Sequence, residues 1–209
     1  TTGYAVMGME QPTAGQVLID GKDRATMTPA ERHAVTRRLQ IVFQDPASAL
    51  NPRMKVRDCI AEPLEIHRIG TAASRAARVQ ELLDLVGLPA SALDRLPREF
   101  SGGQKQRIVI ARALALNPEV IVCDEPVSAL DVSIQSQILN LLLELQARLG
   151  LAYLFISHDL SVVRHISDEI VVMHRGRVVE AGPTDALFAA TRDPYTQKLL
   201  AAVPRPEVR

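Results

Sequence analysis

Val120-Ile121-Val122-Cys123-Asp124-Glu125 decides the fold. An apolar run rich in β-branched residues makes a strand covered on both faces, the habit of a parallel sheet. Asp124 and Glu125 follow at once, and two adjacent carboxylates at the end of a buried strand are costly unless a cation or a reacting group needs them. The ordinary alternative is the N-cap of a following helix. Ala152-Tyr153-Leu154-Phe155-Ile156 is a second strand of this kind and runs into Ser157-His158-Asp159; residues 39–43 are a third and run into Gln44. Parallel strands share a direction, so their C-terminal ends lie on one edge, where open α/β sheets bind ligands. Gln44, Asp124, Glu125 and His158 are therefore expected to converge. A carboxylate for Mg2+, a second to polarise water, an imidazole and an amide suit phosphoryl transfer.

Outward from these strands, strand-like and helix-like segments alternate, which predicts an α/β domain with a mostly parallel sheet. Residues 1–9 read as the tail of a helix, 16–20 as a short strand ending at Gly21, and 29–38 as a helix. Between about 46 and 118 the strand signal disappears. Residues 56–67, 72–86 and 101–116 read as helices broken by Gly87, Pro89 and Pro97, an inserted helical segment. Strands return at 120–123, 152–156, 169–174 and 177–180. A long amphipathic helix carrying Ile134, Ile138, Leu141, Leu142, Leu145 and Leu149 lies between the first two. The tail, 184–209, holds two short helical stretches and a Pro-rich end.

Ser101-Gly102-Gly103-Gln104 opens a helix that is apolar nearly all round. Serine is a good N-cap, but two glycines directly after it waste helix propensity. Bare backbone N–H groups at a helix N-terminus make an anion site suited to phosphate; the alternative is a tight turn with a cap.

Composition narrows the classes. In 209 residues, 24 Lys+Arg balance 24 Asp+Glu, which removes a whole-chain electrostatic case for nucleic acid or anionic lipid. An apolar fraction of 47% argues against disorder, and no apolar run is long enough to suggest a membrane span. Two cysteines, Cys59 and Cys123, are too few for a disulfide scaffold and lack metal-ligand spacing. His33, His67, His165 and His174 are scattered and read as surface or capping residues.

Phe100-Ser101-Gly102-Gly103-Gln104-Lys105-Gln106-Arg107 resembles the signature motif of ATP-binding-cassette (ABC) ATPases. Residues 120–125 resemble their Walker B strand with its catalytic glutamate, Ser128-Ala129-Leu130-Asp131 their D-loop, His158 their switch histidine and Gln44 their Q-loop glutamine. Order and spacing are the family's. Phe43-Gln44-Asp45-Pro46, Leu50-Asn51-Pro52-Arg53-Met54, Glu62-Pro63-Leu64 and Asp193-Pro194-Tyr195-Thr196, followed by Leu199-Leu200-Ala201-Ala202-Val203-Pro204, are similar to the oligopeptide/dipeptide importer branch. In that branch the extension usually begins with histidine, where Asp193 stands here. Nickel and glutathione importers carry similar extensions, so the solute stays open.

The resemblance implies a RecA-like P-loop NTPase core (1–45 and 119–183), an inserted helical subdomain with the signature motif (46–118) and a C-terminal extension of the peptide-transporter type (184–209). It implies ATP and Mg2+ as cofactors. Asp124, with Gln44, would hold Mg2+ through ATP and water, Glu125 would polarise the attacking water, His158 would contact the γ-phosphate, and Gln44 would sense the nucleotide and the membrane subunit. Ser101, Gly102, Gly103 and Gln104 would meet the ATP of an opposite subunit, and Asp131 would lie across the same interface. The implied partners are a second ATPase subunit, identical or paralogous, transmembrane permease subunits and, indirectly, an extracytoplasmic solute-binding protein, with no nucleic acid. The implied location is the cytoplasmic face of the inner membrane.

The phosphate-cradling loop G-x-x-x-x-G-K-[ST] is nowhere in the chain. Aligned with the family, Thr1 falls just beyond that loop. The chain is therefore expected to be a fragment that binds ATP poorly on its own. Two other classes compete. A soluble ABC ATPase acting on DNA or ribosomes would insert long coiled-coil or charged segments in the helical region, and none is seen; a non-catalytic regulatory protein draws support only from the missing loop.

Overall fold

The structure is a computed structural model that describes residues 2–201. Thr1 and the extension residues Ala202, Val203 and Pro204 lie outside the described residues. The chain divides into two compact units, Thr1–Ile156 and Ser157–Arg209.

In the first unit the helices are α1 (Thr2–Met7), α2 (Pro29–Arg38), α3 (Pro46–Ala49), α4 (Val56–Ile66), α5 (Ala72–Leu85), α6 (Gly102–Leu114) and α7 (Val132–Leu149). The strands are β1 (Leu18–Ile19), β2 (Lys22–Asp23), β3 (Leu39–Val42), β4 (Val120–Asp124) and β5 (Ala152–Ile156). The second unit holds α8 (Leu160–Ile166), β6 (Glu169–His174), β7 (Arg177–Pro183), α9 (Thr184–Ala189) and α10 (Pro194–Ala201).

Strands β3, β4 and β5 form a parallel sheet with β4 in the middle. The register pairs Val42 with Cys123 and Asp124 with Ile156, so all three strands leave the sheet at the same rim. Central position explains composition: Ile121, Val122 and Cys123 in β4 are all but inaccessible. As an edge strand, β5 differs from the expectation of cover on both faces, and Leu154 is 37% exposed. Behind the sheet, Met27, Val35, Leu39 and Val122 form a core with Val6, Met7 and Ile19 packed against it.

Local chemistry sets the helix boundaries. Thr28 and Glu31 make a capping box with Pro29 in the first turn of α2, and Asp45 caps α3 one residue after Gln44. Ser101 and Gln104 make the capping box of α6. Gly150, at φ +66°, closes α7 in the left-handed conformation that glycine adopts at little cost. Between β3 and β4 the chain is helical, as predicted, and α6 is the hub. Arg112 near its end donates to Ala49 O and to Glu62 Oε2, tying α6 to α3 and α4.

Two features depart from the sequence reading. The predicted strand 16–20 is only Leu18–Ile19, paired antiparallel with an unpredicted β2. The strands at 169–174 and 177–183 make their own antiparallel hairpin with a bulge at Val172/Met173, and do not extend the parallel sheet. Helix α8, capped by Asp159 through Ser161 N and Val162 N, also had no sequence signal beyond that cap.

Candidate active site

Gln44, Asp124 and Glu125 meet at the rim where β3 and β4 end. Gln44 lies two residues past β3, and its Nε2 donates to Glu125 Oε2 at 2.9 Å and to Ser128 Oγ at 3.3 Å. Ser128 Oγ donates in turn to Glu125 O at 3.1 Å. The backbone N–H of Glu125 donates to Ile156 O at 2.9 Å, which binds this turn to the end of β5. Glu125 itself has φ +50°, a left-handed conformation that costs a non-glycine residue about 1–2 kcal/mol. Such strain persists where surrounding bonds fix it, and it gathers at functional positions.

Three groups hold this loop. Ser128 N donates to Glu125 O, Leu130 N donates to Val127 O, and the side chain of Gln135 donates from α7 to both Val127 O and Leu130 O. Gln135 was not singled out by its sequence, and Ser128 entered only as part of the D-loop resemblance. A Ser or Gln on a loop or helix carries no periodic signal, and only the path of the chain shows what it holds.

Gln44 spends its amide N–H on Glu125 and Ser128, which leaves its carbonyl Oε1 as a hard oxygen donor at the rim where the half-buried Asp124 ends β4. An amide oxygen and a carboxylate fit Mg2+, which takes few protein ligands and completes its octahedron with water and phosphate oxygens. Among the described residues no group of three or more His, Cys, Asp or Glu could hold a metal ion, so an ion at this rim would draw its remaining ligands from a substrate.

Around Ser101 the glycines have an internal reason as well as the one read from sequence. A β-carbon on Gly103 would overlap Cγ2 of Ile134, and one on Gly102 would stand 3.2 Å from Cδ2 of Leu130. Leu130 and Ile134 flank Asp131, the N-cap of α7, so the Ser101 turn and the Asp131 turn are packed together. Gly102 is exposed and Gly103 half-buried. Ser101 Oγ accepts from Gln104 N and Gln104 Oε1 accepts from Ser101 N, which leaves the first amides of α6 without an upstream carbonyl. His158 belongs to the second unit, two residues past the end of β5.

The remaining candidates fall outside the site. Cys123 is fully buried and burial pushes its thiol up to about 12, as expected of a small core residue. His33 lies against His67 at a tilt, and His174 stacks on Tyr195.

A parallel sheet with a helical insertion after its first strand, and acidic residues at the end of its central strand, is the α/β architecture of P-loop NTPases. The chain superimposes with a TM-score of 0.79 on cbiO1 from Clostridium perfringens, part of the ABC transporter complex cbiONQ, at 29% identity over 89% of this chain and 72% of that one. It matches the ATP-binding cassette MJ0796, solved as a dimer in a post-hydrolysis state bound to ADP and Pi, with a TM-score of 0.74 at 29% identity, covering 88% and 79% of the two chains. The ABC transporter family profile matches residues 1–128, and the chain belongs to that family.

Among curated relatives, a Brucella ovis protein named for peptide import ATP binding is 50% identical over 99% of this chain and 65% of its own length. The oligopeptide transport ATP-binding protein OppD of Mycobacterium tuberculosis is 52% identical over 99% of this chain and 34% of its own. The chain thus spans about two-thirds or less of the relatives it matches. Among the described residues no helix is long and apolar enough to cross a membrane.

Proposed function

We propose that this chain is the nucleotide-hydrolysing part of an ABC importer for oligopeptides, dipeptides or a similar small solute. The observation that carries the reading is the bond between Gln44 and Glu125 at the rim beside Asp124, on a backbone held at φ +50°. Half-identical relatives named for peptide import support the solute class.

Glu125 is the general base, placed by Gln44 and Ser128 to orient and polarise the attacking water. Asp124 and the Oε1 of Gln44 are the groups that would hold Mg2+, which supplies charge neutralisation at the phosphates when bound. His158 contacts the γ-phosphate. Ser101, Gly102, Gly103 and Gln104 present the N-terminus of α6 to the ATP of a second subunit, identical or paralogous, and Asp131 lies across the same interface. Because a head-to-tail pair builds each site from both chains, nucleotide binding closes the pair and hydrolysis releases it. Permease subunits convert that cycle into transport, with a solute-binding protein outside the membrane and the ATPase on its cytoplasmic face.

Replacing Glu125 by Gln in the assembled transporter tests the reading. The amide keeps the shape and removes the base, so hydrolysis falls by about 10²-fold or more while ATP binding persists. Wild-type turnover in Glu125→Gln would remove Glu125 from the chemistry.

A further inference from the structure

Arg37, Arg75 and Arg78 gather around a cavity of about 230 Å3 in the first unit, far from the rim just described. Arg37 lies in the last turn of α2, just before β3, and Ala115, Leu116 and Asn117 lead into β4, so the cavity sits where these strands enter the sheet, opposite the rim where they leave it. Its floor is apolar, with Leu64, Ile69 and Leu116, and no Asp or Glu lines it. In a chain of zero net charge, three arginines on one small cavity are a local excess.

Part of that excess has a structural use. Arg78 donates from Nη2 to Leu114 O at 3.0 Å and to Asn117 Oδ1 at 2.5 Å, and its Nη1 lies 2.8 Å from Glu81 Oε2. Arg75 donates from Nε to Ile69 O at 2.8 Å, with Glu65 3.9 Å from its Nη1. The rest is unused: the Nε of Arg78 is buried with no partner, and Arg37 takes part in no ion pair among the described residues. Nearby, the rings of His33 and His67 lie against each other at a tilt of 30°, with centres 4.2 Å apart. His67 is held below the ordinary imidazole value, first by burial and then by the neighbouring His33 and Arg37.

We propose that this cavity binds the phosphate of a monoester carrying a short apolar stem, with the phosphate held by Arg37, Arg75 and the Nε of Arg78. The stem lies on Leu64, Ile69 and Leu116. Arginine at all three positions suits phosphate, because the planar guanidinium matches pairs of phosphate oxygens and is weakly hydrated. Two sources share this chemistry: a free phosphate ester and the headgroup of an anionic phospholipid.

The test titrates n-butyl phosphate into the assembled protein with nucleotide saturating, so that the Glu125 rim does not compete. Saturable binding, tighter than that of inorganic phosphate and weakened by salt, is expected. Arg37→Ala weakens it by about tenfold, the worth of one charge-assisted contact. Because the Arg37 side chain makes no hydrogen bond or ion pair among the described residues and lies at the opposite end of the strands from the hydrolytic rim, that variant keeps ATP hydrolysis and thermal unfolding close to wild type, which separates this site from the proposed activity. Parallel sedimentation with phosphatidylcholine vesicles containing phosphatidic acid identifies the source. Arg37-dependent capture by vesicles alone assigns a headgroup, and Arg37-dependent binding of butyl phosphate alone assigns a free ester. No saturable binding in either arm, or binding that Arg37→Ala leaves untouched, overturns the proposal.

Discussion

At the scale of single residues, Gly103 and Gln106 show how α6 is specified. A methyl at 103 has no room beside Ile134, whose β-branched side chain has one favoured rotamer in a helix. Gly103→Ala should cost about 1–3 kcal/mol from overpacking. Adding Ile134→Ala should recover part of that loss, a coupling of about 0.5–3 kcal/mol in urea unfolding. Strict additivity would mean that the two residues do not meet. Gln106 is fully buried, and neither polar atom of its side chain has a partner. An unsatisfied buried amide costs roughly 1–3 kcal/mol, so Gln106→Leu should stabilise the protein by that order; a lower urea midpoint would show that the amide is satisfied after all. Asp124 and Glu125 were legible because charge after an apolar strand is a one-dimensional signal. Gln135 was not, and neither were the contacts of Ser128 with Glu125 or of Ile134 with Gly103, because contacts across turns leave no local pattern.

At the scale of elements, legibility followed the strength of the caps and the length of the periodic run. Helix α2 has the predicted bounds, since Thr28, Pro29 and Glu31 mark its start. Helix α7 buries Ile138, Leu141, Leu142 and Leu145 as the spacing required, while Leu149, a turn further on, is 43% exposed. The short β2 and α8 escaped because two to seven residues give no period to read. In the second unit Glu180 organises the start of α10. Its carboxylate accepts from Thr191 Oγ1 at 2.6 Å and from Arg192 N at 2.8 Å. These bonds, Thr191's foremost, hold its carboxyl down at about 2, against an ordinary value of 4.5. A group whose value is lowered by folding gives stability that is complete above the unfolded value and lost as pH falls through the folded one. The unfolding midpoint of wild type should therefore drop between about pH 5 and pH 2, while Glu180→Gln starts lower and varies less. Parallel pH profiles would contradict this.

At the scale of the whole molecule, a sheet whose three parallel strands end at one rim was readable from strand direction alone. The separate hairpin of β6 and β7 was not, because residues 170–173 are a continuous apolar run although only Ile170 and Val172 are buried and the strand pairs antiparallel. The account stands on a site shared between chains: Glu125 and Gln44 from one, the Ser101–Gly103 turn from another. Mixed dimers in the assembled transporter, with the phosphate-cradling loop present, test this directly. Glu125→Gln in one subunit and Ser101→Arg in the other each abolish hydrolysis when present in both copies. Combined in one dimer, the two defects fall in the same site and leave the second site intact. The account predicts that mixing restores ATP hydrolysis well above either parent; activity no higher than that of the separate variants would contradict it.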